Sequence, residues 1–161
     1  MNKIVELHQL EKDLASVDIN RNKIVIAGGC FDSIHEGHIS FLKAAKGQGS
    51  LLFVLLESDE DIKRRKGKDR PIYSQAMRAK SLSALYEVDV VICLTPLMTD
   101  SDYDRLVSQI KPAIIATTKG DPYRSHKERQ AKLTEAKVVD VIERIPKYST
   151  TDLLTKTHDN E

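Results

Sequence analysis

The sequence has no tryptophan, only two cysteines and just 5% aromatic residues across 161 positions. Scarce aromatics argue against a surface built to stack nucleic-acid bases. Cys30 and Cys93 each lie in or beside an apolar run, and neither has a neighbour at metal-ligand spacing. A disulfide framework is not expected in a domain of this size. An excess of one charge is also missing, since 25 Lys and Arg stand against 24 Asp and Glu for a formal net charge of +1. That balance gives no long-range basic field for nucleic acid or acidic lipid, so any anion site must be local. No apolar run reaches transmembrane length. Glu6, Glu11, Lys12 and Asp13 break the start of the chain, where a signal peptide would need an uninterrupted apolar stretch. The expected setting is a reducing cytoplasm, with neither membrane nor nucleic acid as partner.

What is present is a composition of 40% hydrophobic and 30% charged residues, ordinary for one soluble globular domain. Near-continuous apolar runs occur at 23–27, 51–56, 88–92 and 113–116, with a weaker one at 138–142. Strands apolar on both faces belong in a parallel sheet covered by helices on both sides. Helical stripes lie between them: Ile39, Leu42 and Ala45; Ala79, Leu82, Leu85 and Tyr86 after a capping Ser74; Tyr103, Leu106, Val107 and Ile110 after the box-like Ser101-x-x-Asp104. Residues 124–135 are expected to be helical, and a short helix should begin near Ser149. Ile4, Leu7, Leu10 and Leu14 predict a helical extension over residues 1–20, ahead of the main domain over 21–161. The charged stretch Lys63–Arg70 reads as a mobile loop. This alternation predicts an α/β fold, a Rossmann-like doubly wound parallel sheet of about five strands in a single domain.

Ligands in such sheets bind beyond the carboxyl ends of the strands. The strand at 23–27 runs directly into Gly28-Gly29-Cys30-Phe31-Asp32-Ser33-Ile34-His35-Glu36-Gly37-His38, and a helix follows. Glycines at a strand end permit positive φ and close approach of a ligand. The next helix start offers free N–H groups and a positive dipole end, an anion site. His35 and His38 straddle that start, so both rings can address one phosphate. Imidazole N–H groups suit a phosphoryl-transfer transition state, where charge builds on the oxygens of the attacked phosphorus. A zinc site built from Cys30, His35 and His38 is a weaker alternative, because no fourth ligand appears at helpful spacing.

The string Gly-Cys-Phe-Asp-x-x-His-x-Gly-His resembles the signature of the cytidylyltransferase-like nucleotidyltransferases. That family includes glycerol-3-phosphate cytidylyltransferase and the nucleotidyltransferase domain of ADP-heptose synthase. Further matches follow in order: Leu42-x-x-Ala45-Lys46, Ser58-Asp59, Lys66-Gly67-x-x-Arg70-Pro71-Ile72, Arg78, Val88-Asp89, Lys119-Gly120-Asp121 and Tyr148-Ser149-Thr150-Thr151. The resemblance implies transfer of a nucleoside monophosphate, CMP or AMP, from a nucleoside triphosphate to a small phosphorylated metabolite, with release of pyrophosphate. The run Asp61-x-Lys63-Arg64-x-Lys66-Gly67-x-x-Arg70-Pro71-Ile72 resembles the ADP-heptose synthase type and points to a sugar phosphate of the heptose phosphate kind. Arg144 fits the cytidylyltransferase pattern better and keeps glycerol 3-phosphate or another alcohol phosphate as an alternative acceptor. A non-catalytic nucleotide-binding module is the alternative of a different class.

By the same resemblance, His35, His38, Lys46 and Arg78 are the expected catalytic residues. Gly28, Gly29, Cys30, Phe31, His38, Gly120, Asp121, Arg144, Ser149, Thr150 and Thr151 are expected to bind the nucleotide. Lys63, Lys66 and Arg70 are expected on the acceptor. Mg²⁺ should accompany the triphosphate, held by phosphate oxygens and water rather than by protein ligands, with Asp32 at most a helper. A homodimer is also implied.

Overall fold

Residues 1–143 are described by a computed structural model. Among them run the strands β1 (Ile4–Glu6), β2 (Ile24–Gly29), β3 (Leu51–Leu56), β4 (Val90–Cys93), β5 (Ile114–Lys119) and β6 (Lys137–Glu143). They alternate with the helices α1 (Leu10–Ala15), α2 (Glu36–Lys46), α3 (Asp59–Lys66), α4 (Gln75–Ser83), α5 (Asp100–Ile110) and α6 (Arg124–Thr134). The strands form one all-parallel sheet in the order β1-β4-β3-β2-β5-β6. The doubly wound expectation holds, with six strands instead of about five.

The sixth strand comes from the amino-terminal segment. Ile4-Val5-Glu6 alternates exposed, buried, exposed and pairs with β4, while the helical stripe begins only at Leu10 and continues to Leu14. A β-branched pair at 4–5 prefers the pleated edge to a helix. Both faces of the sheet are covered. α1, α5 and α6 bury Leu10, Leu14, Leu106, Val107, Ile110 and Ala131 on one side, where Phe53 and Leu55 of β3 meet them. On the other side, α2 and α4 bury Leu42, Ala45, Ala79 and Leu82 against Leu52, Val54 and Leu56. The unbroken apolar run of β3 is thus explained by burial on both of its faces.

Several local expectations shift. Tyr86 lies beyond the end of α4 and is 92% exposed, so it is no part of the buried stripe. α5 is capped by Thr99 with Asp102, two residues before the expected box. The charged stretch is not a loop in its first half: α3 is capped by the Ser58 hydroxyl and closes at Gly67, whose φ of +106° suits glycine. Its first turn carries Asp59, Glu60 and Asp61, and its last carries Lys63 to Lys66. That order complements the helix dipole at both ends.

Sheet order sets the position of the site. From β2 the chain moves outward through β3 and β4 on one side, then returns to place β5 and β6 on the other. The strand order therefore reverses between β2 and β5, and the crevice beyond their carboxyl ends is where ligands bind in such sheets.

Candidate active site

The loop at that crevice is held from beneath. Gly29 ends β2, and a Cβ there would sit 2.9 Å from Cε2 of Phe31, so the ring packs where only glycine leaves room. The positive φ that the glycines were expected to supply falls instead on Phe31, at +45°, with its side chain 4% exposed. Such a backbone persists only where its surroundings impose it. Asp32 does much of the imposing. Its buried carboxylate accepts from Arg70 Nε at 2.8 Å, from Ile72 N at 2.9 Å and from Tyr73 N at 3.1 Å. Burial alone would raise this carboxyl, but the two backbone N–H groups and the Arg70 guanidinium hold it below its ordinary value. Arg78, 1% exposed, donates to the carbonyls of Tyr73 at 3.0 Å and Cys30 at 2.8 Å, and to Asp59 Oδ1 at 2.6 Å.

The two histidines form a stacked pair at the start of α2. His35 is the N-cap, and its Nδ1 accepts from Gly37 N at 3.1 Å. His38 Nδ1 in turn receives the His35 backbone N–H at 3.4 Å, the two halves of a capping box. With both Nδ1 atoms acting as acceptors, each neutral ring carries its proton on Nε2. The ring centroids are 3.9 Å apart with planes 25° from parallel, and Phe31 lies 5.2 Å from His38. Burial, the adjacent His35 and Lys66 lower the His38 imidazole to about 4, against a weaker opposing hydrogen bond with Ser33. Burial also lowers His35. Both rings are neutral near pH 7.

Around this pair the crevice carries local positive charge. Lys66, the last residue of α3, places Nζ 3.2 Å from Cys30 Sγ. Across the crevice, β5 leads into Gly120, with φ +80°, and Asp121. Asp121 accepts from the Thr117 hydroxyl at 2.8 Å, from Tyr123 N at 2.9 Å and from Lys127. Burial would raise its carboxyl, but Lys127, Tyr123 N–H and Thr117 lower it. Among the described residues, no group of three or more His, Cys, Asp or Glu is placed to hold a metal ion.

A glycine-ended strand, a histidine-capped helix and a strand-order reversal at one crevice match the signature read from the sequence, and comparison with known proteins agrees. The profile described as cytidylyltransferase-like matches residues 26–156. The chain belongs to the cytidylyltransferase-like family. It is 39% identical to the bifunctional protein HldE of Helicobacter pylori over 150 residues, which cover 91% of this chain and 30% of that protein. It is 36% identical to the HldE of Campylobacter jejuni over 154 residues, covering 94% and 31%. The chain thus spans about three-tenths of the length of these relatives. Among solved structures, a lipopolysaccharide core biosynthesis protein from Thermoplasma volcanium superposes with a TM-score of 0.59 at 30% identity, over 79% of this chain and 98% of that one. A pantoate-beta-alanine ligase from Francisella tularensis, at 16% identity and a TM-score of 0.60 over 98% and 77%, shares the fold.

Within this cytidylyltransferase-like frame, the structure brings together Gly28, Gly29, Cys30, Phe31, His35, His38 and Lys66 at the β2 end of the crevice. Gly120 and Asp121 lie on the neighbouring strand end. Lys46 is not among them. It closes the far end of α2, about 12 Å along the helix from His38 and about 16 Å from His35 at 1.5 Å per residue. There Lys46 pairs with Asp89 and donates to Ser50 O at 2.6 Å, at the amino ends of the strands. The structure places Lys46, expected to be catalytic, away from the crevice, where it ties α2 to the start of β3 and to the residue before β4. Arg70 and Arg78 are placed against the glycine loop. Both are buried beneath the loop and grip Asp32 and the Cys30 carbonyl, so they shape the site from below. Lys63 is exposed on α3. Arg144, Ser149, Thr150 and Thr151 lie outside the described residues.

Sequence reading missed Glu57, Arg65 and Lys127. Glu57 is the first residue past β3, its N–H bonds the Gly29 carbonyl at 3.1 Å, and its carboxylate holds Arg65 through two bonds of 3.0 and 2.6 Å. Its position one step beyond an apolar run was the available signal, because strand carboxyl ends carry the site in this architecture.

Proposed function

We propose that the chain is the catalytic domain of a nucleotidyltransferase acting on a sugar phosphate. A phosphate oxygen of the acceptor attacks the α-phosphorus of a nucleoside triphosphate, the bond to the bridging oxygen breaks, and pyrophosphate leaves with that oxygen. The new phosphoanhydride joins AMP or CMP to the acceptor. The observation that carries this reading is the stacked His35–His38 pair at the start of α2, with each Nδ1 facing a backbone N–H. Two oriented donors at a helix start suit the equatorial oxygens of a transferring phosphoryl group. They act by stabilising charge and not as nucleophiles.

The acceptor of the heptose phosphate type is supported by the likeness to the HldE proteins and to a lipopolysaccharide core biosynthesis protein at 30% identity. The described carboxylates do not offer Mg²⁺ a protein cage, since Asp32 is taken up by Arg70, Ile72 and Tyr73. In this reading the ion enters with the triphosphate, carried by its oxygens and by water. The test is pyrophosphate release with ATP and CTP in parallel, each against heptose 1-phosphate, hexose 1-phosphates and glycerol 3-phosphate. Release with a sugar phosphate supports the proposal. Release only with glycerol 3-phosphate, or triphosphate binding with no release from any pair, contradicts it.

A further inference from the structure

A cavity of about 340 Å³ opens beside the glycine loop, lined by Glu57, Asp61, Arg64, Arg65, Met98 and Tyr103. That volume falls within the range of small-molecule sites, about 300–1,000 Å³. Its wall is continuous with the crevice. Glu57 bonds the Gly29 carbonyl, Arg65 is held by Glu57, and the next residue, Lys66, touches Cys30 Sγ. Tyr103 comes from α5, which packs on the face of the sheet opposite α2 and its histidines.

The lining has a distinct chemistry. Two carboxylates are balanced by two guanidiniums, in the pairs Glu57–Arg65 and Asp61–Arg64, so the cavity carries no net charge to attract a phosphate. It is nevertheless dense in hydrogen-bonding groups: of about four acceptor positions on a carboxylate, Arg65 takes two on Glu57, while Arg64, the Ser58 hydroxyl and the Leu97 N–H take three on Asp61. Asp61 stays ionised: burial would raise it, but Ser58, Arg64 and the Leu97 N–H lower it. The Tyr103 hydroxyl makes no hydrogen bond among the described residues, and burial with the Glu57 and Asp61 carboxylates pushes its proton affinity up to about 12. It therefore remains a donor at neutral pH. Met98 and the Tyr103 ring supply an apolar surface beside these groups. Neutral, polar, with a patch of apolar wall, this is the chemistry of a polyhydroxylated carbon chain, whose O–H groups need charged partners and whose C–H face needs an aromatic or thioether surface.

We propose that this cavity holds the polyol of the acceptor sugar phosphate, with Glu57, Asp61 and Tyr103 reading its hydroxyls, while its phosphate points to Lys66 and the glycine loop. The inference rests on the sugar-phosphate reading given above and deepens it. Consecutive residues of α3 divide the work: Arg64 and Arg65 orient the two carboxylates, and Lys66 receives the phosphate. An acceptor seated there enters from the α5 side and meets the nucleotide across the carboxyl edge of the sheet from the α2 helix. Such an approach suits a displacement in which attacking and leaving oxygens lie in line.

The test is calorimetric binding to the intact protein saturated with a non-hydrolysable triphosphate analogue, using heptose 1-phosphate and inorganic phosphate as probes. Wild type should bind heptose 1-phosphate at least tenfold more tightly than inorganic phosphate. Tyr103→Phe, which keeps the packing of α5, and Asp61→Asn should each weaken the sugar phosphate about tenfold. Neither should change the affinity for inorganic phosphate or for the triphosphate analogue. If wild type prefers heptose 1-phosphate and both variants bind it as wild type does, the cavity is not the polyol site, and the sugar-phosphate reading stands without it. If wild type binds the analogue but shows no preference for the sugar phosphate, the sugar-phosphate reading itself fails and takes this assignment with it.

Discussion

At the scale of single residues, the site depends on keeping two imidazoles uncharged in contact with each other. Protonating either Nδ1 would set a second donor against a backbone N–H and break one arm of the capping box. Burial and the His35–His38 contact resist that proton, which is why His38 is lowered to about 4. In the free protein the His38 ring should titrate near 4 by proton NMR, and a midpoint near 6.5 would contradict the geometry. The same shift sets a stability window. Because the folded state binds this proton more weakly than the unfolded chain, the contribution is fully present above about pH 6.5 and is lost as pH falls toward about 4. His38→Gln should flatten the pH dependence of unfolding free energy across that window, and an unchanged profile would assign the effect elsewhere. Cys30 has a different standing. Among the described residues its sulfur touches Lys66 and no His or carboxylate, so Cys30→Ser should retain most of the pyrophosphate release, and covalent nucleotidylation of Cys30 would overturn direct displacement.

At the scale of elements, the loop after β2 is pinned from one side and α2 is bolted at its far end. Asp32 is the pin. Asp32→Ala leaves Arg70 buried without its anion and frees two backbone donors, so unfolding in urea should show a loss of about 3–5 kcal/mol. Lys46 is the bolt, part-exposed with Asp89, and Lys46→Met should cost no more than about 1 kcal/mol while leaving turnover unchanged. A large fall in turnover would return Lys46 to the chemistry. The strands and the helices with apolar stripes were legible because burial on one or two faces writes a period into the sequence. α3 was not, since only Ile62 of its eight residues is buried and no stripe exists to read. Its evidence lay in charge order, acids first and bases last, which a count of basic residues hides. β1 was misread because Leu7, Leu10 and Leu14 continue a helical spacing back across Ile4-Val5, whose pairing partners are 87 residues away at Val91 and Ile92. The histidines and glycines of the site were legible as one contiguous string. Glu57, Arg65 and Tyr103 were not, because they converge from β3, α3 and α5 only when the sheet is assembled.

At the scale of the whole molecule, one reversal of strand order places the β2 loop, the start of α2, Lys66 and the β5 turn around a single crevice. The chain carries this unit in about three-tenths of the length of its HldE relatives. The central claim is that the crevice stabilises charge on a transferring phosphoryl group through His35 and His38, and one pair of numbers tests it. His35→Ala and His38→Ala should each be compared with wild type for turnover in the pyrophosphate-release assay and for triphosphate affinity by calorimetry. Loss of one preorganised donor should lower turnover by about 10²–10³-fold with affinity changed only a few-fold. Unchanged turnover in either variant, or a loss confined to triphosphate affinity, would contradict the account.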